Sequence, residues 1–447
     1  MRQPFESLLR SLSSHLLPLS LTGLMCCYSL SVSATDLLSL YRAAVNDNPA
    51  LKARRFGIDR ARADVDQASS RLYPQLSLQS SVSRNEYADT RSDDRYTGRR
   101  TSLQARQAIV DLPSYYRSES ARYSLGQAEQ EAVQARGELF AQITEQYFLA
   151  LQAGDELMQL QMEKEAAIKQ VERLRAMRER EMAKVTDLTE AISWLQQINT
   201  REIDAANKGE AAHARLRELS GKEIGLLAMM IRMDFPEVPE TVDYWVRTAR
   251  DANPAVNARR EALMASRRGV SAARAEHYPQ LALSLQRSQS NLTYDNLVQR
   301  SYTVDSVALE LRIPIYEGGR AVAGEASAMA QEAIDQEQLE GLLREVERDT
   351  RVVYASAQAN RARIDSTNAE VDALTQTVRA QERGYELGVA TVINVLDARR
   401  RLLRARVDQS KARYDYLRDL IGLKTRAGLL SEADVAEFNR WLGPRDN

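Results

Sequence analysis

The chain has 447 residues, 61 Lys and Arg against 62 Asp and Glu, and a formal net charge of −1. A balance this close argues against nucleic acid as a partner, because such binders neutralise phosphates with an excess of basic side chains. Aromatic residues make up 6% and charged residues 28%, with 11 prolines in the whole chain, which is the make-up of long helices.

Residues 1–34 read as an export signal rather than as part of the fold. Arg2 and Arg10 give a basic start, Leu16 to Leu30 is mostly apolar, and Val32-Ser33-Ala34 is a small-residue exit. Cys26 and Cys27 are the only cysteines and fall inside this segment. Cleavage after Ala34 leaves a chain with no disulfide, no thiolate nucleophile and no cysteine metal site. His213 and His277 lack the partner spacing that a zinc site needs. No cofactor or metal is expected. No nucleophile elbow or phosphate-cradling glycine loop is present either, so an enzyme is not expected. Beyond residue 34 no run of ~18 apolar residues occurs, so no membrane-spanning helix is expected, although strands crossing a membrane would leave a weaker trace.

Residues 36–71 are expected to be helical, with Asp36 as N-cap and an interruption at Asn48-Pro49. Tyr73-Pro74 ends the helix, since the residue before a proline avoids helical geometry. The period then drops to two: Leu76, Leu78, Ser80 and Val82 alternate with polar residues. Residues 85–100 are polar and read as a loop before a second alternating run, Leu103 to Ile109. This predicts a hairpin of two strands of about ten residues each. From about Ser114 to Glu181 no proline occurs and helix is expected, with Phe140, Ile143 and Tyr147 on one stripe and Ile168, Val171 and Leu174 further along. A shorter helix over 187–219 follows.

The chain then repeats itself. Residues 253–283 match residues 48–78 at a constant offset of 205, from Asn253-Pro254-Ala255 to Tyr278-Pro279-Gln280-Leu281, with fourteen of 31 positions identical. A repeat of this length means two copies of one structural unit. The second copy predicts strands around Leu281–Leu285 and Val307–Ile315, a polar loop over 288–301, a rod from about Arg320 to Glu386 and a helix over 391–421. Each rod would be on the order of 100 Å long at ~1.5 Å per residue. The organisation is therefore a first repeat over 35–219, a linker over 220–250, a second repeat over 251–421 and a C-terminal segment over 422–447. Each alternating hairpin is compatible with a membrane wall or with a half-buried hairpin on a core.

The motifs decide between these. Asn-Pro-Ala opens each half and Tyr-Pro-Gln-Leu precedes each hairpin. The sequence Ile313-Pro314-Ile315-Tyr316-Glu317-Gly318-Gly319-Arg320 follows the last strand, and Gly384-Tyr385-Glu386-Leu387-Gly388-Val389-Ala390-Thr391-Val392-Ile393-Asn394-Val395-Leu396-Asp397-Ala398 closes the second rod. In these the chain resembles the TolC-like outer membrane factors over nearly all of residues 35–440. The resemblance implies a mainly α fold with a β membrane barrel. In it a homotrimer with four strands per chain forms a twelve-strand barrel in outer membrane lipid, continued into the periplasm by a long α-helical barrel. Pro314, Gly318 and Gly319 would make the strand-to-helix turn, and Gly388 the reversal between two long helices.

The resemblance also implies a pore entrance. Ala183, Asp187, Glu190 and Ala191 align with Ala390, Asn394, Asp397 and Ala398 at an offset of 207, placing Glu190 and Asp397 at equivalent positions. Tyr385, Asp397 and the Thr186-Asp187 pair match the residues that hold the family's entrance shut. Ala390 stands where the family has an arginine and Asn394 where it has an acid, so a gate that opens more readily, or one latched by other residues, is expected. The tips around Met182, Ala183, Gly388, Val389, Ala390 and Thr391 would dock a periplasmic adaptor, itself joined to an inner membrane transporter. Residues 414–442 look most like the branch serving secretion, which points to type I protein secretion driven by an ABC transporter. Multidrug efflux is the alternative, and a non-channel coiled-coil scaffold a more distant one.

Overall fold

The structure is a computed structural model describing residues 35–89, 92–231, 234–292 and 298–443. The expected signal segment, with Cys26 and Cys27, lies outside these residues. Helices α1 (Leu37–Asp47) and α2 (Pro49–Ser70) precede a hairpin of β1 (Gln75–Asp89) and β2 (Ser92–Val110). The rod α3 (Leu112–Glu179) and its return α4 (Val185–Ser220) follow. After a short strand β3 (Met229–Met230), the second copy runs α5 (Val242–Ala252), α6 (Pro254–Ala275), β4 (Gln280–Leu292), β5 (Val298–Arg312), α7 (Arg320–Glu386) and α8 (Val392–Arg426). Helix α9 (Glu432–Asn439) and strand β6 (Leu442–Gly443) end the described chain. The rods have 68 and 67 residues.

Each repeated motif does the same work twice. Asn48 caps α2, its side-chain oxygen accepting from the Ala50 and Leu51 amides, while its amide donates to the Leu219 carbonyl at 3.2 Å. Asn253 caps α6 through Ala255 and Val256, and donates to the Arg426 carbonyl at 2.8 Å. The asparagine thus starts one helix and satisfies an otherwise unpaired carbonyl at the end of the helix returning from the far tip. The proline beside it has no N–H to lose at the first helical position. Asp36 caps α1, accepting from the Ser39 amide at 2.9 Å.

The two largest buried clusters among the described residues pack against the rods. At mid-length, Phe140, Ile143, Tyr147 and Phe148 of α3 pack with Leu216, Tyr416, Ile421, Trp245 and Trp441. The buried Tyr147 hydroxyl donates to the Ala228 carbonyl at 2.9 Å, and α3 is thereby tied to the belt around it. Belt strands β3 and β6 pair antiparallel, joining the linker to the C-terminal segment. The second cluster lies at the far tips. Val171 and Leu174 are buried there, whereas Ile168, expected on the same stripe, is 38% exposed.

The loops expected over 85–100 and 288–301 are instead largely strand. Strand β1 reaches Asp89, β2 begins at Ser92, β4 reaches Leu292 and β5 begins at Val298. Backbone pairing needs no apolar side chains, so the ladder continues through a polar stretch of sequence, and the hydrophobic pattern marks only part of each strand. The strands of the first hairpin accordingly have 15 and 19 residues rather than about ten. Helix α8 also passes the expected boundary at 421 and ends at Arg426.

Candidate channel wall and pore entrance

The four long strands form one antiparallel sheet in the order β1-β2-β4-β5. Leu78 faces Leu103 and Leu76 faces Ala105. Ala105 in turn faces Leu285, which faces Val307, while Leu283 faces Leu309 and Leu281 faces Leu311. Residues directly opposite share a face, so one face carries a largely apolar band across all four strands, to which β2 contributes Leu103 and Ala105 beside Gln107. Leu76, Leu78, Val82, Val307, Leu309 and Leu311 are each between 62% and 74% exposed. The other face carries Gln104, Arg106, Ser284, Gln286, Glu310 and Arg312. There the Ser284 hydroxyl donates to Glu310 at 3.1 Å, and Arg106 lies 4.0 Å from the same carboxylate. An apolar face this extensive, on a sheet with open edges at β1 and β5, belongs in lipid rather than water. Among the described residues no helix is long and apolar enough to cross a membrane.

The strands hand over to the helices through tight turns. Gly318 and Gly319 have φ of 62° and 85°, a region that a side chain disfavours. Pro314 follows the last ladder residue, Arg312, where a missing N–H costs nothing. On the polar side of this junction is a cavity of about 700 Å³. Arg117 of α3 and Arg320 of α7 both bind Glu276, at 2.5 and 2.8 Å, clasping the two halves together.

At the opposite end both rods reverse in the same way. The Met182 amide donates to the Met177 carbonyl and the Val389 amide to the Gly384 carbonyl, each at 2.8 Å. Positions 181 and 388, which are equivalent at the offset of 207, both have positive φ, 58° and 75°. This is the helix-ending motif that favours glycine. Gly388 supplies it in one copy, but Glu181 adopts it in the other, a strained position the sequence does not advertise. Thr391 caps α8: its hydroxyl accepts from the Asn394 amide, and the Asn394 side chain accepts from the Thr391 amide, both at 3.3 Å. Asn394 is therefore used at the start of its own helix, in a reciprocal capping pair. Lys184, the counterpart of Thr391, makes no side-chain cap.

The structure brings the remaining tip residues into one assembly. Tyr385 packs on the tip cluster, and the Arg173 guanidinium lies 5.5 Å from its ring centre. Asp397 is paired with Arg401 at 2.6 Å, one turn along α8. Glu190 is paired with Arg400 at 2.7 Å, across from α4 to α8. The two equivalent acids thus each have an arginine of their own. Arg400 also lies 5.1 Å from the Trp194 ring centre. Trp194 donates its indole N–H to Glu163 at 3.3 Å, and Arg399 joins Glu163 to Glu382 of α7. Beneath these contacts Leu174, Leu188, Ala191, Val392 and Leu396 are buried. Thr186 is exposed, and Asp187 sits half-buried in the first turn of α4, where a helix start favours an acid. Ala183 packs on the tip cluster and Ala390 is half-buried. At the very ends Met182, Val185, Leu387 and Val389 are exposed, Val389 to 82%.

Sequence reasoning misses Arg173, Glu163, Trp194, Arg399 and Arg400. Their only trace is the run Arg399-Arg400-Arg401 just after Asp397, which by itself reads as a solvated helix face.

Comparison with known proteins agrees with this geometry. The chain is 27% identical over 434 residues to the outer membrane protein TolC of Vibrio cholerae, covering 96% of this chain and 98% of that one. It is 26% identical over 425 residues to the alkaline protease secretion protein AprF of Pseudomonas aeruginosa, covering 90% and 86%. Among solved structures, the CmeC outer membrane channel of Campylobacter jejuni superposes with a TM-score of 0.80 at 16% identity, covering 90% of this chain and 89% of that one. The fold is the shared-barrel and long-helix architecture of these channels, located in the outer membrane and extending into the periplasm. Such proteins are conduits rather than enzymes. The sequence pattern of the outer membrane efflux protein family matches residues 40–222 and 245–429, so the chain belongs to that family.

Proposed function

We propose that this outer membrane channel is the exit duct of a type I secretion system, in which three copies close one barrel and dock on a periplasmic adaptor served by an inner membrane ABC transporter. The observation that carries the duct is the four-strand sheet, apolar on one face, polar on the other and open at both edges. Membrane barrels begin at eight strands, so one chain cannot close a wall. Three copies give twelve strands and remove every open edge. Secretion of protein is favoured by the likeness to a protease secretion protein over most of both chains.

The exposed apolar residues Met182, Leu387 and Val389, gathered at the rod tips, suit adaptor docking, because a partner seated there would remove their apolar surface from water. In this reading the entrance is formed by Tyr385, Thr186, Asp187, Glu190, Asn394 and Asp397. With Asn394 engaged in its own cap and Ala390 carrying no charge, closure falls to the arginines of α3 and α8.

Two experiments test the proposal. In planar bilayers the detergent-purified channel should conduct, and Asp397→Ala should shift its selectivity toward anions by leaving Arg401 unpaired. Protein that needs no detergent and forms no channels would remove the duct. In cells, loss of the gene should abolish export of an ABC-driven secreted protein while leaving susceptibility to small toxic compounds little changed. The reverse pattern would assign the duct to efflux.

A further inference from the structure

We propose that an arginine rim on the outward face of the sheet binds the phosphate groups of lipid headgroups in the leaflet farther from the helices. The proposal rests on the apolar face being the lipid face. It is carried by what borders that face at each end.

Going away from the helices, each strand passes from the apolar band to charge on the same face. Val82 of β1 is followed two residues on by Arg84, and Val82 directly faces Arg99 of β2. Leu285 of β4 is followed two residues on by Arg287, which faces Leu103. Successive same-face residues lie ~7 Å apart along a strand, so the Arg84 and Arg287 guanidiniums sit about one headgroup's depth beyond the last residue of the apolar band on their own strand, while Arg99 lies level with Val82. The border slides from Arg84 on β1 to Arg287 on β4 in register, as a level line must across tilted strands.

Among the described residues the rim carries arginines without a carboxylate partner. Arg95 pairs with Glu86 at 2.8 Å and Arg287 with Asp305 at 3.6 Å. Among the described residues Arg84 and Arg99 have no carboxylate within ion-pair distance, and both are exposed. The Arg99 backbone is held in place: its N–H donates to the Asn291 side chain, which donates back to the Thr97 carbonyl at 3.1 Å, beside the irregularity between Ser290 and Leu292 in β4. The Arg287–Asp305 pair is about two-thirds exposed on both sides, so it yields readily to a stronger anion.

The opposite border is different in kind. Where strands meet helices, Tyr73, Tyr278 and Tyr316 are exposed beside Ile313 and Ile315, with Arg312 on the polar face; tyrosines favour a membrane interface without demanding an anion. A purely solubilising function for charge would not distinguish the two borders. Guanidinium pairs well with phosphate oxygens, often by two hydrogen bonds at once, so the distal border fits a phosphate-bearing headgroup whose acyl chains lie along the leucine band.

The test is native mass spectrometry of the whole detergent-purified channel, titrated with a hexa-acylated diphosphoryl glucosamine-disaccharide lipid and with the same lipid lacking its phosphates. The wild-type channel should retain the phosphorylated lipid in preference, and Arg84→Gln with Arg99→Gln should reduce that retention by about fivefold per arginine. Lysine at both positions should restore most of it. The phosphate-free lipid should bind wild type and variant alike. Equal retention of both lipids by the wild type, or an unchanged preference in the variant, overturns the proposal. Inorganic phosphate binding as well as the lipid would overturn the lipid as occupant. Bilayer conductance of the variant is recorded alongside: loss of channels would indict the wall itself, whereas intact channels with unchanged lipid preference refute the rim alone.

Discussion

If the arginines of α8 hold the two helix hairpins together at the entrance, Arg400→Gln should loosen the tips. Arg400 makes two identified contacts, an ion pair with Glu190 at 2.7 Å and a cation–π contact with Trp194 at 5.1 Å. Its side chain is 30% exposed and that of Glu190 37%, so solvent screens the pair and its share is at most ~1 kcal/mol. The contact over the indole adds about 0.5–1 kcal/mol. A loss of roughly 1.5 kcal/mol per chain raises the population of parted tips about tenfold. The assay is single-channel open probability for Arg400→Gln, Glu190→Gln and the double variant. Removing either partner should raise it, and the double variant should add little to the larger single effect. Fully additive effects would refute the coupling, and open probabilities equal to wild type would refute the latch. Trp194 fluorescence should move with open probability if the same contact is involved.

Other expectations follow from single features. Gly388→Ala should weaken the second tip by about 1 kcal/mol, because a side chain at positive φ costs ~1–2 kcal/mol, whereas Glu181→Gly should be neutral or stabilising at the first; hydrogen exchange at the two tips measures both. Leu309→Arg on the apolar face should cost ~2–4 kcal/mol and deplete assembled channel in membranes, while Ser306→Arg on the polar face should assemble normally; membrane fractionation separates them. Burial opposes ionisation of Asp434, but its hydrogen bonds to Lys424 and Ser431 outweigh that and hold its pKa below 3.8. This folded-state depression stabilises the α8–α9 corner above pH 3.8, with the benefit lost as pH falls through the lower folded value. Acid unfolding monitored at Trp441 should therefore begin at higher pH in Lys424→Met.

The two-copy organisation is legible in the sequence because its determinants are local. Asn48-Pro49 and Asn253-Pro254 start helices wherever they stand, Gly318-Gly319 and Gly388 permit backbone angles other residues resist, and proline-free stretches of good helix formers run as rods. The apolar face of each hairpin is equally local, since alternation fixes sidedness before any partner is chosen. How far those strands run is not: ladder hydrogen bonds extend β1 to Asp89 and β4 to Leu292 through residues with no hydrophobic signal. Nor does the pattern say that β2 pairs with β4, uniting two hairpins 205 residues apart into one wall. The pore entrance divides the same way. Glu190 and Asp397 can be placed at equivalent tip positions from the repeat, and Tyr385 from the resemblance to the family. That Arg400 reaches Glu190 and Trp194, that Arg399 bridges α3 and α7, and that Asn394 is spent on its own helix cap depend on how two rods lie side by side. Such contacts have no spacing in the chain, because the geometry that makes them is set only when the helices pack.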